Sequence, residues 1–246
     1  MKRIKFITTS IKGGLAISLA SHFSFISFQE KYSKNQLIGK DESSIVGNSY
    51  TTKMHKETSE AFQKMKVAAA KENISIELVS AYRSFDRQKQ IFEKKYKRFI
   101  AQGLSPIDAI RKIIEYSTIP GTSRHHWGTD IDIIDANVPR PKNVLEPQHF
   151  HGNGPFCKLK DWLNIHAETF GFYEVYSDKP NRKGFKYEPW HFSYAPVSIP
   201  MLQEYKKLDI KQILQEEKIQ GSMHFTDEFI QQYRNENILD INKKLL

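Results

Sequence analysis

The sequence predicts an α+β fold: a small, mainly antiparallel sheet, flanked by helices on its outer side, with a helical C-terminal extension. Three observations predict it. ISIELVSAY (74–82) and TDIDIID (129–135) alternate with the two-residue period of a strand. Long segments between and after them carry apolar residues at helical spacing. The chain of 246 residues, 39% hydrophobic and 12% aromatic, suits one domain with appendages and can build a core.

Taken in order, Lys2, Arg3, Lys5 and Lys12 precede the apolar stretch GGLAISLASHFSFISF (13–28). A basic segment followed by an apolar one is the pattern of a secretory signal. Its sixteen residues include four serines and fall short of the ~20 apolar positions of a membrane span. Residues 1–28 are therefore expected to be a signal peptide or an N-terminal anchor. Export to the periplasm or cell envelope follows, with membrane contact only through an uncleaved N-terminal segment. Residues 29–52 are polar and read as a linker or lead-in.

Met54, Ala61, Phe62, Met65, Ala68 and Ala69 keep helical spacing up to Asn73, and the first strand follows. A helix opens at Ser84 and carries Ile91, Phe92, Tyr96, Phe99 and Ile100, with Gly103 as its breaker. Ser105-Pro106 reads as an N-cap and first-turn proline for another helix, through Ile114. Thr129–Asp135 is the second strand, and residues 136–156 are an irregular loop rich in Pro, Asn, Gly and His. A helix over 158–170 ends at Gly171, and short strands are expected near 172–176 and 190–194. Residues 53–200 make the main domain and 201–246 a charged helical extension.

The net charge of +9 favours acidic partners, but four of the cations lie in residues 1–28, which carry no acid. With no nucleic-acid-binding module in the sequence, the basic balance is not a nucleic-acid signal. The single cysteine, Cys157, excludes an intrachain disulfide and a cysteine-rich zinc site.

The chemistry concentrates in GTSRHHWGTDIDIID (121–135). On a strand, Asp130 and Asp132 share one side and Ile131 and Ile133 the other. His125 precedes them across Gly128, so an imidazole and a carboxylate can converge. A surface loop beside a solvated acidic sheet face is the better account of this stretch taken alone. A second motif, Glu188-Pro189-Trp190-His191, puts a carboxylate three residues before a histidine, and the proline keeps that segment extended. A zinc site wants three protein ligands, with a carboxylate near its water to carry protons. His149 and His151 form a further pair in the loop, without an acid partner.

Three segments taken together, Ser80-Ala81-Tyr82-Arg83-Ser84, Ser123-x-His125-x-x-Gly128-x-x-x-Asp132 and Glu188-x-Trp190-His191, resemble the VanY-like D-alanyl-D-alanine carboxypeptidases. These are zinc peptidases related to D,D-dipeptidases and to the N-terminal domain of Hedgehog proteins. The resemblance covers residues from about 53 to 195. It implies His125, Asp132 and His191 as ligands of one Zn2+ per chain, and Glu188 as catalytic base. It further implies Arg83 as the cation near the scissile carbonyl, and Ser123 as a contact for the substrate terminus. The implied activity is D,D-carboxypeptidase cleavage of peptidoglycan stem peptides. An L,D-carboxypeptidase, a stem-peptide endopeptidase and a non-catalytic wall-binding or signalling module are the alternatives. One position departs from the family pattern: Asp130 stands where a small residue such as alanine is usual. It would orient a ligand histidine, shift specificity, or face solvent.

Overall fold

Strand Asp130–Asp135 turns Ile131 and Ile133 into one apolar cluster and presents Asp130 and Asp132 on its opposite side, and this split organises the domain. The computed structural model describes residues 31–49 and 51–246, so the expected signal or anchor segment lies outside the described residues. In chain order the elements are α1 (Lys34–Leu37), β1 (Ile45–Val46), β2 (Met54–His55), α2 (Lys56–Ala70), β3 (Ile76–Ser80), α3 (Phe85–Ala101), α4 (Pro106–Ile114), β4 (Asp130–Asp135), α5 (Cys157–His166), β5 (Phe172–Glu174), β6 (His191–Tyr194), α6 (Ala195–Tyr205), α7 (Ile210–Glu216) and α8 (Asp227–Tyr233). Among the described residues no helix is long and apolar enough to cross a membrane.

The main sheet has four strands in the order β3-β4-β6-β5, every neighbouring pair antiparallel. Central β4 pairs Ile76 with Asp135 on one side, and Asp130 with Ser193 and Asp132 with His191 on the other. All six residues of β4 are buried, so its acids do not face solvent. Phe62 and Met65 of α2 and Leu159, Trp162 and Leu163 of α5 cover Ile131 and Ile133. On the opposite side Ile134 meets Phe150 and Phe156 from the long loop, together with Trp190.

The helix ends follow from local chemistry. Ser84 accepts from the Arg87 amide at 3.3 Å and starts α3, and Ser105 does the same for Asp108 ahead of Pro106 in α4. Gly103, at φ 89°, ends α3 in a conformation that costs other residues strain.

Two boundaries read from the sequence shift. The lead-in over 29–52 contains α1 and β1; Leu37 and Ile38 are buried, and Ser33 with Gln36 forms a capping box. The apolar Leu37-Ile38 pair outweighs the polar composition around it. The boundary at residue 200 falls inside α6, which runs through Pro200 to Tyr205. Met201, Leu202 and Tyr205 then enter the same apolar cluster as Leu37, Phe85 and Trp127. The C-terminal helices thus share a core with the residues around the site.

Candidate metal centre

The turn before β4 brings the site together. Arg124–Trp127 form one 3-10 turn that Gly128 closes at φ 67°, and a Cβ on Gly128 would lie 2.6 Å from the His55 backbone nitrogen. The segment after β3 zips onto this turn. The Arg83 amide donates to the His125 carbonyl at 3.0 Å, and His125 Nδ1 donates to the Ala81 carbonyl at 2.7 Å. His126 points away from His125. Its Nδ1 donates to the Arg83 carbonyl at 2.6 Å and its Nε2 accepts from the Gly121 amide at 3.0 Å. Burial lowers the His126 pKa to about 4, which suits the neutral ring those two bonds require.

With Nδ1 committed to Ala81, His125 turns its Nε2 lone pair to Asp132, 3.5 Å from Oδ2. Asp132 sits opposite His191 in the sheet, and its Oδ1 lies 3.6 Å from His191 Nδ1. His125, Asp132 and His191 each offer an atom within 4.8 Å of the others, and all three are buried. Asp132 Oδ1 is buried without a hydrogen-bond partner among the described residues. A buried carboxylate oxygen left unpaired is costly and calls for a cation. Two imidazole nitrogens and one carboxylate oxygen are the donors of an open three-ligand zinc site. The residues fit the ion.

The charges behave as such a cluster should. Burial pushes the Asp132 carboxyl up to about 7, helped by nearby Glu188 and opposed by His191. Burial, reinforced by nearby Arg83, takes His125 well below the usual imidazole range. For His191 burial is outweighed by hydrogen bonds to Asp130 and Glu188, and its pKa rises to about 10. A divalent ion among these groups would displace the His191 Nδ1 proton.

Glu188 reaches His191 Nδ1 at 2.9 Å through Oε2 and remains partly open to solvent. Its backbone is fixed by the Glu188 amide to Tyr176 carbonyl bond at 3.1 Å and the His191 amide to Glu188 carbonyl bond at 3.0 Å. Arg83, Ser123, His125, Asp132, Glu188 and His191 all line one cavity of about 590 Å³. Gln88 Oε1 and Ser80 Oγ receive the Arg83 guanidinium at 3.0 and 3.2 Å. A register shift between Leu78 and Ser80 in the β3–β4 pairing precedes this segment. His149 lies 3.5 Å from Glu146, and His151 stacks on Tyr187 with its Nε2 2.9 Å from the phenol oxygen, so this pair stays at the rim.

Three features were not legible as site residues. Arg124 fell between the motif positions, yet its Nε donates to Asp130 Oδ1 at 2.8 Å. The Tyr176 ring stands edge-on to His191 at 5.1 Å and lines the cavity. Tyr233 of α8 bonds the loop ahead of the metal motif: the Ile119 amide donates to its oxygen at 3.1 Å, and its hydroxyl lies 2.8 Å from Thr122 Oγ1. Only the pairing register and the tertiary fold bring these together.

The VanY family profile, described as D-alanyl-D-alanine carboxypeptidase, matches residues 51–197. An uncharacterized protein of Haemophilus influenzae is 33% identical over 106 residues, which are 42% of this chain and 81% of that protein. A D-alanyl-D-alanine carboxypeptidase of Enterococcus faecalis is 27% identical over 142 residues, 57% of this chain and 48% of the relative. The chain therefore spans about half the length of that carboxypeptidase. Among solved structures, VanYB in complex with D-alanine-D-alanine aligns at a TM-score of 0.49 and 23% identity, covering 71% of this chain and 89% of the other. The LdcB LD-carboxypeptidase aligns at 0.49 and 25%, covering 70% and 78%.

Proposed function

The chain belongs to the VanY family of D-alanyl-D-alanine carboxypeptidases, and from that premise we propose that it is a zinc-dependent D,D-carboxypeptidase removing the terminal D-alanine of peptidoglycan stem peptides. The observation that carries the reading is the convergence of buried His125, Asp132 and His191 beside partly open Glu188, in a cavity that Arg83 also lines. His125 Nε2, an Asp132 oxygen and His191 Nδ1 would hold the ion. Bound there, zinc supplies Lewis acidity toward the scissile carbonyl and an attacking water.

The chain's own residues do the rest. Glu188 takes the proton of the attacking water and returns it to the departing amine. Both transfers need a carboxylate with access to solvent and substrate, and Glu188 is the one acid of the cluster that is not fully buried. Arg83 stabilises the charge that develops on the carbonyl oxygen, with Gln88 and Ser80 keeping the guanidinium in place. Ser123 contacts the substrate's terminal carboxylate. A purely structural metal site needs no base beside it, so Glu188 favours catalysis over a non-catalytic wall-binding role. Export to the cell envelope belongs to the same proposal, because the substrate is there and residues 1–28 have the composition of a targeting segment.

The test is mass spectrometry of stem peptides after incubation with the purified chain. A pentapeptide ending in D-Ala-D-Ala should lose one alanine. Loss of D-alanine only from a tetrapeptide would indicate L,D specificity, and internal cleavage would indicate an endopeptidase.

A further inference from the structure

Asp130 has no exposed surface, yet its carboxyl group is paired with the Arg124 guanidinium on the central strand β4. Four donors surround its carboxylate. Arg124 Nε and His191 Nε2 reach Oδ1 at 2.8 and 3.0 Å, and Thr129 Oγ1 and Ser193 Oγ reach Oδ2 at 2.7 and 2.8 Å. Arg124 Nη2 closes the ring by donating to Ser193 Oγ at 2.7 Å. The Arg124 side chain is itself almost completely buried and lies over Trp127, 4.9 Å from the ring centroid. Burying such a pair carries a desolvation cost for each ion before its attraction is counted. Apolar residues would serve the core as well, so stability alone does not account for the ring.

We propose that Asp130, with Arg124 as its counter-charge, is the positioning residue that fixes the rotation and tautomer of His191, presenting Nδ1 to the metal. The inference rests on the functional reading above. It concerns a residue that stands outside the metal-ligand set and never touches substrate. An imidazole has two nitrogens that can ligate, and the bond made by one decides which is left for the metal. Here the bond is unambiguous. Nε2 donates to a carboxylate whose remaining lone pairs are all occupied, so Asp130 cannot swing toward the ion. Nδ1 then faces Asp132 and Glu188. Asp130 and Asp132 share one side of β4, but they differ in their partners. The first is saturated by protein donors, and the second has an oxygen with none among the described residues.

The experiment compares the parent chain with three variants. Asp130→Asn keeps the shape and removes the charge. The double variant Asp130→Ala/Arg124→Met removes the carboxylate without leaving a buried guanidinium unpaired. Ser193→Ala removes one support and leaves the charge pair. Zinc affinity is measured by competition with a chromophoric chelator. The protonation of each His191 nitrogen is read from imidazole nitrogen–proton correlation spectra, with and without zinc. The double variant should bind zinc roughly 10–100-fold more weakly, and Asp130→Asn more weakly than the parent. Both should lose the sharp, slowly exchanging His191 Nε2 proton signal that the parent shows.

Parent-like zinc affinity together with a parent-like Nε2 signal in the folded double variant would overturn the proposal. So would a lowered melting temperature with no change in either readout, which is what a merely structural ion pair predicts. If the double variant does not fold, Asp130→Asn and Ser193→Ala decide. Unchanged zinc affinity and an unchanged Nε2 signal in both count against the assignment. Zinc binding by the parent tests the functional reading separately, and the metal-free spectra test the orientation of His191 even for a chain that takes up no zinc.

Discussion

Glu188 and His191 stand three residues apart and meet side chain to side chain at 2.9 Å, although neither lies in a helix. Contact at that spacing normally belongs to a helix face. Here a tight turn produces it, closed by the His191 amide donating to the Glu188 carbonyl. The proposed base is thereby held next to the strand that carries the proposed ligand. Removing its charge should leave the metal in place. Glu188→Gln should retain full zinc content while turnover falls by roughly 10²–10⁴-fold. Elemental analysis and single-turnover kinetics on the same sample check both halves, and near-normal turnover would mean that the base lies elsewhere.

The metal set should fail one ligand at a time. His191→Ala should lose zinc on dialysis, whereas His149→Ala, at the rim beside Glu146, should keep it. Because the ion binds only the folded chain, zinc at ~1,000 times its dissociation constant should add about 4 kcal/mol of stability to the parent. The His191 variant should show no such gain in thermal unfolding.

Arg83 gives the third prediction. A guanidinium held by Gln88 and Ser80 offers a planar fork that an ammonium cannot copy. Arg83→Lys should lower kcat by roughly 10²–10³-fold, the scale of losing one preorganised donor to a developing oxyanion. Amidating the peptide C-terminus should abolish cleavage by the parent. Equal rates on amidated and free peptides would remove terminal recognition from the account.

Tyr233 sets a pH dependence at the alkaline end. Burial raises its phenol to about 12, with the bonds to Thr122 and the Ile119 amide partly opposing the rise. The folded pKa exceeds the unfolded value of ~10, so the contribution is complete below pH ~10 and is lost as pH rises through about 12. Two units correspond to on the order of 3 kcal/mol. Tyr233→Phe should cost about 1–3 kcal/mol at neutral pH, through the partners it leaves unpaired. It should then lose less than the parent between pH 10 and 12. Urea unfolding across that range measures both, and parallel curves for the two proteins would rule out the assignment.

The alternation in 129–135 correctly separated Ile131 and Ile133 from Asp130 and Asp132, because side-chain direction on a strand is a local property. The serine caps at Ser84 and Ser105 were legible for the same reason. Burial of the acid-bearing side was not legible. It depends on β6 lying opposite β4, with Ser193 against Asp130, and no local pattern encodes that register. Arg124 reads as an ordinary surface cation until its partner, six residues on, is known to be sealed in. The packing of the lead-in was not legible because Leu37 and Ile38 sit in a largely polar tract, and their burial is decided by distant Phe85 and Trp127. Likewise the boundary at 200 falls inside a helix, because packing carries α6 through Pro200 to Tyr205.

The bond between Thr122 and Tyr233 spans 111 positions of sequence, and this separates two events in time. His125, Asp132 and His191 are all synthesised before Tyr233. At ~5–20 residues per second, the loop ahead of the metal motif waits roughly 6–20 s after its own synthesis for its brace. A nascent chain therefore holds every proposed ligand before it holds the brace of the loop that precedes them. Pulse-labelled chains released before residue 233 should show fast exchange of the Ile119 amide, which bonds Tyr233, and chains that include residue 233 slow exchange. Maturation of this site is thus governed by an element translated after every residue of the metal set, which takes no part in its chemistry.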